Sequence, residues 1–393
     1  MMDYKTYYQN LKIDYELIQK AGFNPYYPAI QSGLGDPILI EGKEFINLAS
    51  NNYLGLAYDE RVVEASVSVL RKYGASMCAT PVASGYPDFY TQVEKKLSKF
   101  LDLEATIIYP SCYQANNGIF SALVQKEDLV LIDHYAHSSL IEGIRSVGCK
   151  IRPFLHNNMN SLEKILQRST NKRQVFVVTE SVFSTEGVIA PFKQIVDLCE
   201  KYHTIPVIDD SHGIGVLGNQ GKGILEHEGI KDYQGIYTAS LGKALANMGG
   251  VVGGPKILID YLKYYSSHLV YSTSIPPSVL GGIDKVLDII KDEFSARSKK
   301  MWEYKHRISK ALRKYGFQIT ESTTPISSII VGPSLETILI SKKLYENRIL
   351  STPFVYPSVP PNGGKVRLIA GANLKEKSID HAVQIFETIQ IKV

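Results

Sequence analysis

The order of apolar runs in this chain predicts an α/β fold: a large domain with a mostly parallel central sheet flanked by helices, then a smaller α+β domain at the C-terminus. Three observations carry this. Between about residues 60 and 255, short β-rich runs alternate with helix-like stretches, the pattern of a parallel sheet with crossover helices. Acids, histidines and serines sit at or just after the ends of those runs, where ligands bind in such sheets. Beyond residue 280 the pattern changes to long, charge-rich helices, followed by strand, helix, strand and helix.

Taken in order, residues 1–57 are an N-terminal segment. It opens with an amphipathic helix and continues as irregular chain punctuated by Gly33, Gly35 and Pro37. It ends in short strands that include the hairpin-like Ile38-Leu39-Ile40-Glu41-Gly42-Lys43. Residues 58–285 are the large domain. Its expected helices are Val62–Tyr73, Tyr90–Leu101, Gln114–Val124, Ser138–Val147, Ser161–Arg168 and Phe192–Tyr202. Its expected strands are Thr106–Tyr109, Leu129–Ile132, Val175–Val178 and Pro206–Ile208. Residues 286–393 are the small domain, with a strand at Ser327–Val331, a helix at Glu336–Asn347, a strand at Val366–Ile369 and a last helix at Ile379–Ile389.

Composition narrows the function classes. The chain is 44% hydrophobic and 21% charged, an ordinary globular balance with ample length for two domains. Its 43 basic and 39 acidic residues leave a formal charge of only +4, which argues against a dedicated nucleic-acid binder. A local basic patch for an anionic substrate such as a CoA thioester stays open. The four cysteines (Cys78, Cys112, Cys149 and Cys199) are scattered and form no CxxC pair, so neither a zinc site nor a disulfide framework is expected. No apolar run approaches membrane-spanning length, and Met1–Lys5 carries no apolar signal segment, so a cytoplasmic protein is expected.

Lys243 has the most informative company. It lies in Ser240-Leu241-Gly242-Lys243, after the apolar stretch Gly235-Ile236-Tyr237 and before the small residues Ala246, Gly249, Gly250, Gly253 and Gly254, read as a loop that lets backbone approach a ligand. Upstream, the apolar strand of Val207-Ile208 ends in Asp209-Asp210-Ser211-His212. An aldehyde cofactor such as pyridoxal phosphate (PLP) needs a lysine amine, a carboxylate to keep its ring nitrogen protonated, and a phosphate cradle. Asp209 is a candidate carboxylate, costly at a strand end unless paired. His212 follows three residues later. His137 precedes a helix, Ser184 follows the strand ending at Val178, and Ser111–Asn116 opens a helix whose free N–H groups suit a phosphate. Arg367, in a strand of the small domain, suits an amino-acid carboxylate. Each residue also has a commoner occupation: Asp209 as a helix cap, His212 as a hydrogen-bonded core histidine, His137 as a helix start, Arg367 as half of a surface ion pair.

Taken together, these segments resemble the α-oxoamine synthases, PLP enzymes of the fold-type-I transferase superfamily. The resemblance runs from Ala49-Ser50-Asn51-Asn52-Tyr53-Leu54-Gly55-Leu56 through Ser111–Asn116, Asp133–Leu140, Thr179–Gly187, Val207–Gly215, Ser240–Gly250 and Tyr271–Pro277 to Val366-Arg367-Leu368. It implies that Lys243 carries PLP and shuttles the α-proton of an amino acid, that Asp209 pairs with the pyridinium nitrogen, and that His212 and Ser184 bond the phenolic oxygen. It further implies that His137 stacks on the ring, that the backbone of Cys112 and Tyr113 with the Ser240 hydroxyl holds the phosphate, and that Asn51 and Arg367 grip the amino-acid carboxylate. Ser272 and Thr273 would reach the phosphate of a neighbouring subunit in a homodimer. The implied reaction condenses an amino acid with an acyl thioester, on CoA or a carrier protein, and releases CO2. Another PLP reaction on the same fold, such as transamination or aldol cleavage, and a non-catalytic partner subunit stay open. One segment departs from the family pattern: Pro81 stands where an arginine is expected and Tyr90 where a histidine is, which points to a specialised substrate.

Overall fold

The structure is a computed structural model that describes residues 3–11, 15–169 and 172–389. Thirteen strands are present among the described residues: β1 Ile38–Ile40, β2 Lys43–Asn47, β3 Ala105–Tyr109, β4 Leu129–Asp133, β5 Lys150–Phe154, β6 Val175–Glu180, β7 Ile205–Asp209, β8 Ile236–Ser240, β9 Gly250–Gly254, β10 Ile326–Gly332, β11 Ile349–Leu350, β12 Thr352–Phe354 and β13 Gly364–Ile369. A seven-stranded sheet runs in the order β3-β9-β8-β7-β6-β4-β5. All its pairings are parallel except those of β9, which is antiparallel to both neighbours.

The central strands are apolar on both faces because each face meets a helical layer. Leu129, Leu131, Val175 and Val177 turn to one core, which includes Val93, Leu97, Leu162 and Ile195 from helices Asp88–Leu101, Met159–Leu166 and Phe192–Tyr202. Their neighbours Val130, Ile132, Phe176 and Val178 turn to a second core with Ile119, Phe120, Leu140 and Ile144 from helices Cys112–Leu123 and Ser138–Val147. Each such side chain contributes roughly 1.5–3 kcal/mol by burial. Parallel pairing then brings the carboxyl ends of β4, β6, β7 and β8 to one edge, with Glu180 of β6 directly opposite Asp209 of β7.

The expected loop of small residues is half strand. Gly250–Gly254 forms β9, paired from Tyr109↔Gly250 on one side and Ser240↔Gly250 on the other. A Cβ on Gly250 would lie 2.5 Å from Cys112 Cα, so glycine here lets the sheet pack directly under a helix N-terminus. Strands β5, β11 and β12 were not anticipated either; each is short and lies at a sheet edge.

The expected long helices are one: Pro277–Lys314, 38 residues without a break, so the 285/286 boundary falls inside it. Its residues up to Met301 join the large core, and those from Tyr304 join a second core with Ile329, Val366, Leu368 and Phe386. Strands β10, β13 and β12 form an antiparallel sheet there, and β1, β2 and β11 form another that ties the N-terminal segment to the small-domain side. At the start of the chain two short helices, Tyr4–Gln9 and Glu16–Ala21, stand where one was expected, and residues 12–14 between them lie outside the described set. Among the described residues no helix is long and apolar enough to cross a membrane.

Candidate active site

At the carboxyl edge of the large sheet lies a cavity of about 620 Å³. Asn51, His137, Glu180, Ser184, His212, Lys243 and Arg367 line it, with Tyr135, Phe183 and Phe354 as aromatic wall. Six of the expected site residues thus meet in one space, drawn from the N-terminal segment, four turns of the large domain and one strand of the small domain.

Lys243 stands on the turn after β8. Desolvation pushes its amine below the ordinary lysine value, and Asp209, then Cys112 and Glu180, push it back up. Asp209 ends β7 and is buried beneath the cavity. It does not cap a helix: Oδ2 accepts from Asn116 Nδ2 at 2.7 Å, and Oδ1 accepts from the Ser211 N–H at 3.0 Å. Thr238 donates to Asn116 Oδ1 at 2.8 Å, so the amide is oriented with its NH2 toward the acid. Donors on both oxygens fix the carboxylate in direction.

His212 is buried, and Nδ1 lies 2.8 Å from the Tyr53 hydroxyl. Burial, then Lys243 and Arg367, hold its pKa well below the ordinary imidazole value, so it is neutral. His137 does the structural work expected of a helix start and also faces the cavity. It is the N-cap of helix Ser138–Val147, Nδ1 accepts from the Ser139 N–H at 3.2 Å, and its own N–H donates to Glu180 Oε1 at 2.6 Å. Desolvation lowers its pKa as well. Glu180 is fully desolvated, and burial, then Asp209, raise its carboxyl well above the usual range.

On the small-domain side, Arg367 of β13 is buried. One Nη donates to the Ser184 carbonyl at 3.3 Å, the guanidinium lies 4.9 Å from the Phe354 ring centroid, and Nε is sealed without a partner among the described residues. Ion pairing of this arginine is not what the structure shows. Asn51 Oδ1 is likewise sealed without a partner.

The remaining expected residues form a polar patch beside the cavity. Ser111 caps helix Cys112–Leu123, which leaves the N–H groups of Cys112 and Tyr113 at its free N-terminus. Ser211 Oγ accepts from the Ser240 N–H at 2.9 Å and lies 3.3 Å from Cys112 Sγ. Ser272 accepts from Gln114 Nε2 at 3.1 Å within the same chain, while Thr273 is exposed. The segment that departs from the family pattern lies elsewhere: Pro81, Tyr86, Tyr90 and Glu94 line a separate cavity of about 230 Å³. Tyr86 stacks on Tyr90 and hydrogen-bonds Glu94, whose carboxyl is raised by burial.

Sequence reasoning assigned no role to Glu180, Asn116 or Tyr53, although all three fall inside the quoted motifs. The available signal was a polar side chain within or beside an apolar run, which burial makes costly unless it has a partner. Phe354 had no signal, because β12 itself was not foreseen.

The class I and II aminotransferase family model matches residues 43–386. Among curated relatives, 8-amino-7-oxononanoate synthase of Thermoanaerobacter pseudethanolicus is 33% identical over 380 residues, 96% of both chains. The enzyme of that name from Treponema denticola is 36% identical over 352 residues, 89% of both. The chain belongs to the α-oxoamine synthase family. Solved structures agree on the fold-type-I architecture. A serine palmitoyltransferase of Sphingomonas wittichii superposes with a TM-score of 0.93 over 98% of both chains at 24% identity. An 8-amino-7-oxononanoate synthase of Francisella tularensis superposes with a TM-score of 0.75 over 88% of this chain and 97% of that one, at 25% identity.

For an α-oxoamine synthase the implied group is PLP, and the residues fit it. A lysine with a depressed amine, a donor-locked buried carboxylate, two neutral histidines and a helix N-terminus with free N–H groups surround one space. The sealed Nε of Arg367 and Oδ1 of Asn51 are polar atoms that a bound molecule can satisfy.

Proposed function

We propose that the cavity around Lys243 performs the family reaction with the residue roles set out below. The chain is a PLP-dependent acyltransferase that condenses an amino acid with an acyl thioester and releases CO2. The single observation that carries the residue roles is the convergence of Lys243, His137, His212 and Arg367 on one cavity above the buried Asp209.

When bound, PLP supplies an electron sink that makes the α-hydrogen of the amino acid acidic. Lys243 would hold its aldehyde and would take the α-proton of the amino acid on Nζ. The lowered amine pKa raises the fraction of Lys243 that can accept it. Asp209 would pair with the ring nitrogen and keep it protonated. His137 would cover one ring face, and His212 and Ser184 would meet the phenolic oxygen. The backbone of Cys112 and Tyr113 and the Ser240 hydroxyl would receive the phosphate. Asn51 and Arg367 orient the carboxylate, with Arg367 Nε as the free donor.

The reading includes a cytoplasmic homodimer in which Ser272 and Thr273 complete the partner's phosphate site. Exposed Tyr264, Tyr265 and Tyr271 near that loop support a contact face. It also keeps a cofactor-holding unit at 58–285 and a C-terminal unit at 286–393, bridged by the long helix.

The test is free-thiol release from a panel of acyl-CoAs crossed with glycine, alanine, serine and other small amino acids, with CO2 followed in parallel. Thiol and CO2 in equal amounts for one pair are expected. A keto-acid product without CO2 would move the chain to transamination.

A further inference from the structure

We infer that Tyr53 is a positioning residue for this reaction: its hydroxyl donates to Nδ1 of His212 and locks the imidazole in the tautomer that carries its proton on Nε2. The tautomer follows from the protein alone. What that proton meets rests on the PLP reading above.

Tyr53 and His212 are 159 residues apart in sequence, and their side chains meet at 2.8 Å, with the two rings edge-on at 83°. Tyr53 is 1% exposed, and His212 Nδ1 is the hydrogen-bond partner of its hydroxyl among the described residues. Two arrangements are possible. If Nδ1 carried the imidazole proton, the phenol oxygen would accept it, and the phenol's own proton would be buried with no acceptor. That arrangement costs a full desolvation penalty, and the alternative does not. If the phenol donates, Nδ1 accepts through its lone pair, and both groups are satisfied.

Both partners are neutral, because burial drives the tyrosine acid up and the histidine base down. A neutral imidazole has one proton, so with Nδ1 accepting, the proton sits on Nε2. Among the described residues Nε2 has no protein partner, and His212 lines the cavity with Lys243. The site therefore presents a fixed N–H donor, able to give a hydrogen bond to an anionic oxygen and unable to accept one from a neutral hydroxyl. For PLP this favours the ionised phenolic oxygen.

The backbone of Tyr53 is itself clamped. The Tyr53 N–H donates to the Asn51 carbonyl at 2.8 Å, and its carbonyl accepts from the Ala372 N–H at 2.9 Å. The same turn that carries Asn51 into the cavity thus sets the tautomer, and its anchor lies five residues beyond Arg367.

The test is nitrogen-15 NMR of the full-length, histidine-labelled chain near neutral pH, before and after adding PLP, with H212Q to assign the signals. Wild type is expected to show His212 as the Nε2–H tautomer, and Tyr53→Phe to show a measurable population of the Nδ1–H form. An Nδ1–H signal in wild type, or an undiminished Nε2–H preference in Y53F, would overturn the inference. Should Y53F not fold, the wild-type tautomer still decides. With PLP added, Y53F is expected to lose about five- to ten-fold in cofactor affinity and to shift the absorbance toward the un-ionised phenol. Borohydride trapping with peptide mapping separates the two readings: no PLP on Lys243 in wild type sinks the cofactor assignment and leaves the tautomer result standing.

Discussion

The two walls of the cavity differ in how much of their hydrogen bonding is already spent. On the sheet side, Asp209 is tied to Asn116 and Ser211, His212 to Tyr53, and His137 to Ser139 and Glu180. On the small-domain side, Arg367 has one bond to a carbonyl, an aromatic face and a sealed, unpartnered Nε. The difference suits two kinds of guest. A resident group is served by side chains fixed in advance, whereas a substrate that comes and goes is served by donors left open.

That contrast is broken most directly on the sheet side. Lys243→Ala is expected to reduce turnover by more than about 10³-fold, since it removes both the covalent anchor and the proton acceptor. Thiol release with the best substrate pair measures it, and full activity in this variant would end the assignment. Asp209→Asn comes next. It replaces the acid that would pair with the ring nitrogen by a neutral amide, a loss of about 3–4 kcal/mol, or roughly 10²–10³-fold in rate. Exchange of the amino-acid α-hydrogen with deuterated solvent reads the affected step, and cofactor retention on gel filtration should fall with it.

Arg367→Lys sharpens the comparison from the other wall. Lysine keeps the charge and loses the fork, so KM for the amino acid should rise about 10- to 100-fold while PLP retention stays at the wild-type level. Loss of cofactor in this variant would mean that the small-domain side also serves the resident group. Lys365, two residues away, pairs with Glu186 at 3.0 Å and cannot substitute without breaking that contact.

The sheet-side wall was far more legible in the sequence than its counterpart. Long apolar runs followed by acids and histidines mark strand ends whatever their neighbours, so β4, β6 and β7 and the residues after them could be read locally. The expected six of the cavity residues do meet. What escaped was set by contacts across the fold. β9 is a strand because its glycines let helix Cys112–Leu123 sit on the sheet, and no local pattern encodes that approach. β11 and β12 are two and three residues long, below what periodicity can detect, so Phe354 went unseen. Tyr53 and Asn116 were quoted within motifs, but their partners lie 159 and 93 residues away.

The mildest substitution concerns the residue next to Asp209, and it tests whether the sheet side is one functional unit or a site on a separate support. Asp210 is fully buried and points away from the cavity lining: Oδ2 accepts from the Tyr237 hydroxyl at 2.9 Å and from the Ile224 N–H at 3.0 Å. Its Oδ1 and the Ser181 hydroxyl lie together beside Gly213, and the hydroxyl lowers the carboxyl against the effect of burial. Burial pushes this carboxyl up to about 7 from its ordinary 3.8. The sign follows from the two states. Below the unfolded value both hold the proton, and stability is complete. As pH rises toward 7 the unfolded chain releases it while the folded chain retains it, so stability falls, by on the order of 4 kcal/mol once the folded group has titrated. Asp210→Asn removes that titration, keeps an oxygen for Tyr237 and Ile224, and gives Ser181 a donor. Its stability advantage over wild type in urea unfolding should therefore grow from pH 5 to about pH 7 and level off above it, with kcat within about three-fold. A constant difference across that range would show that Asp210 is ionised in the fold. A large fall in kcat would show that Asp209 is held in place through its neighbour.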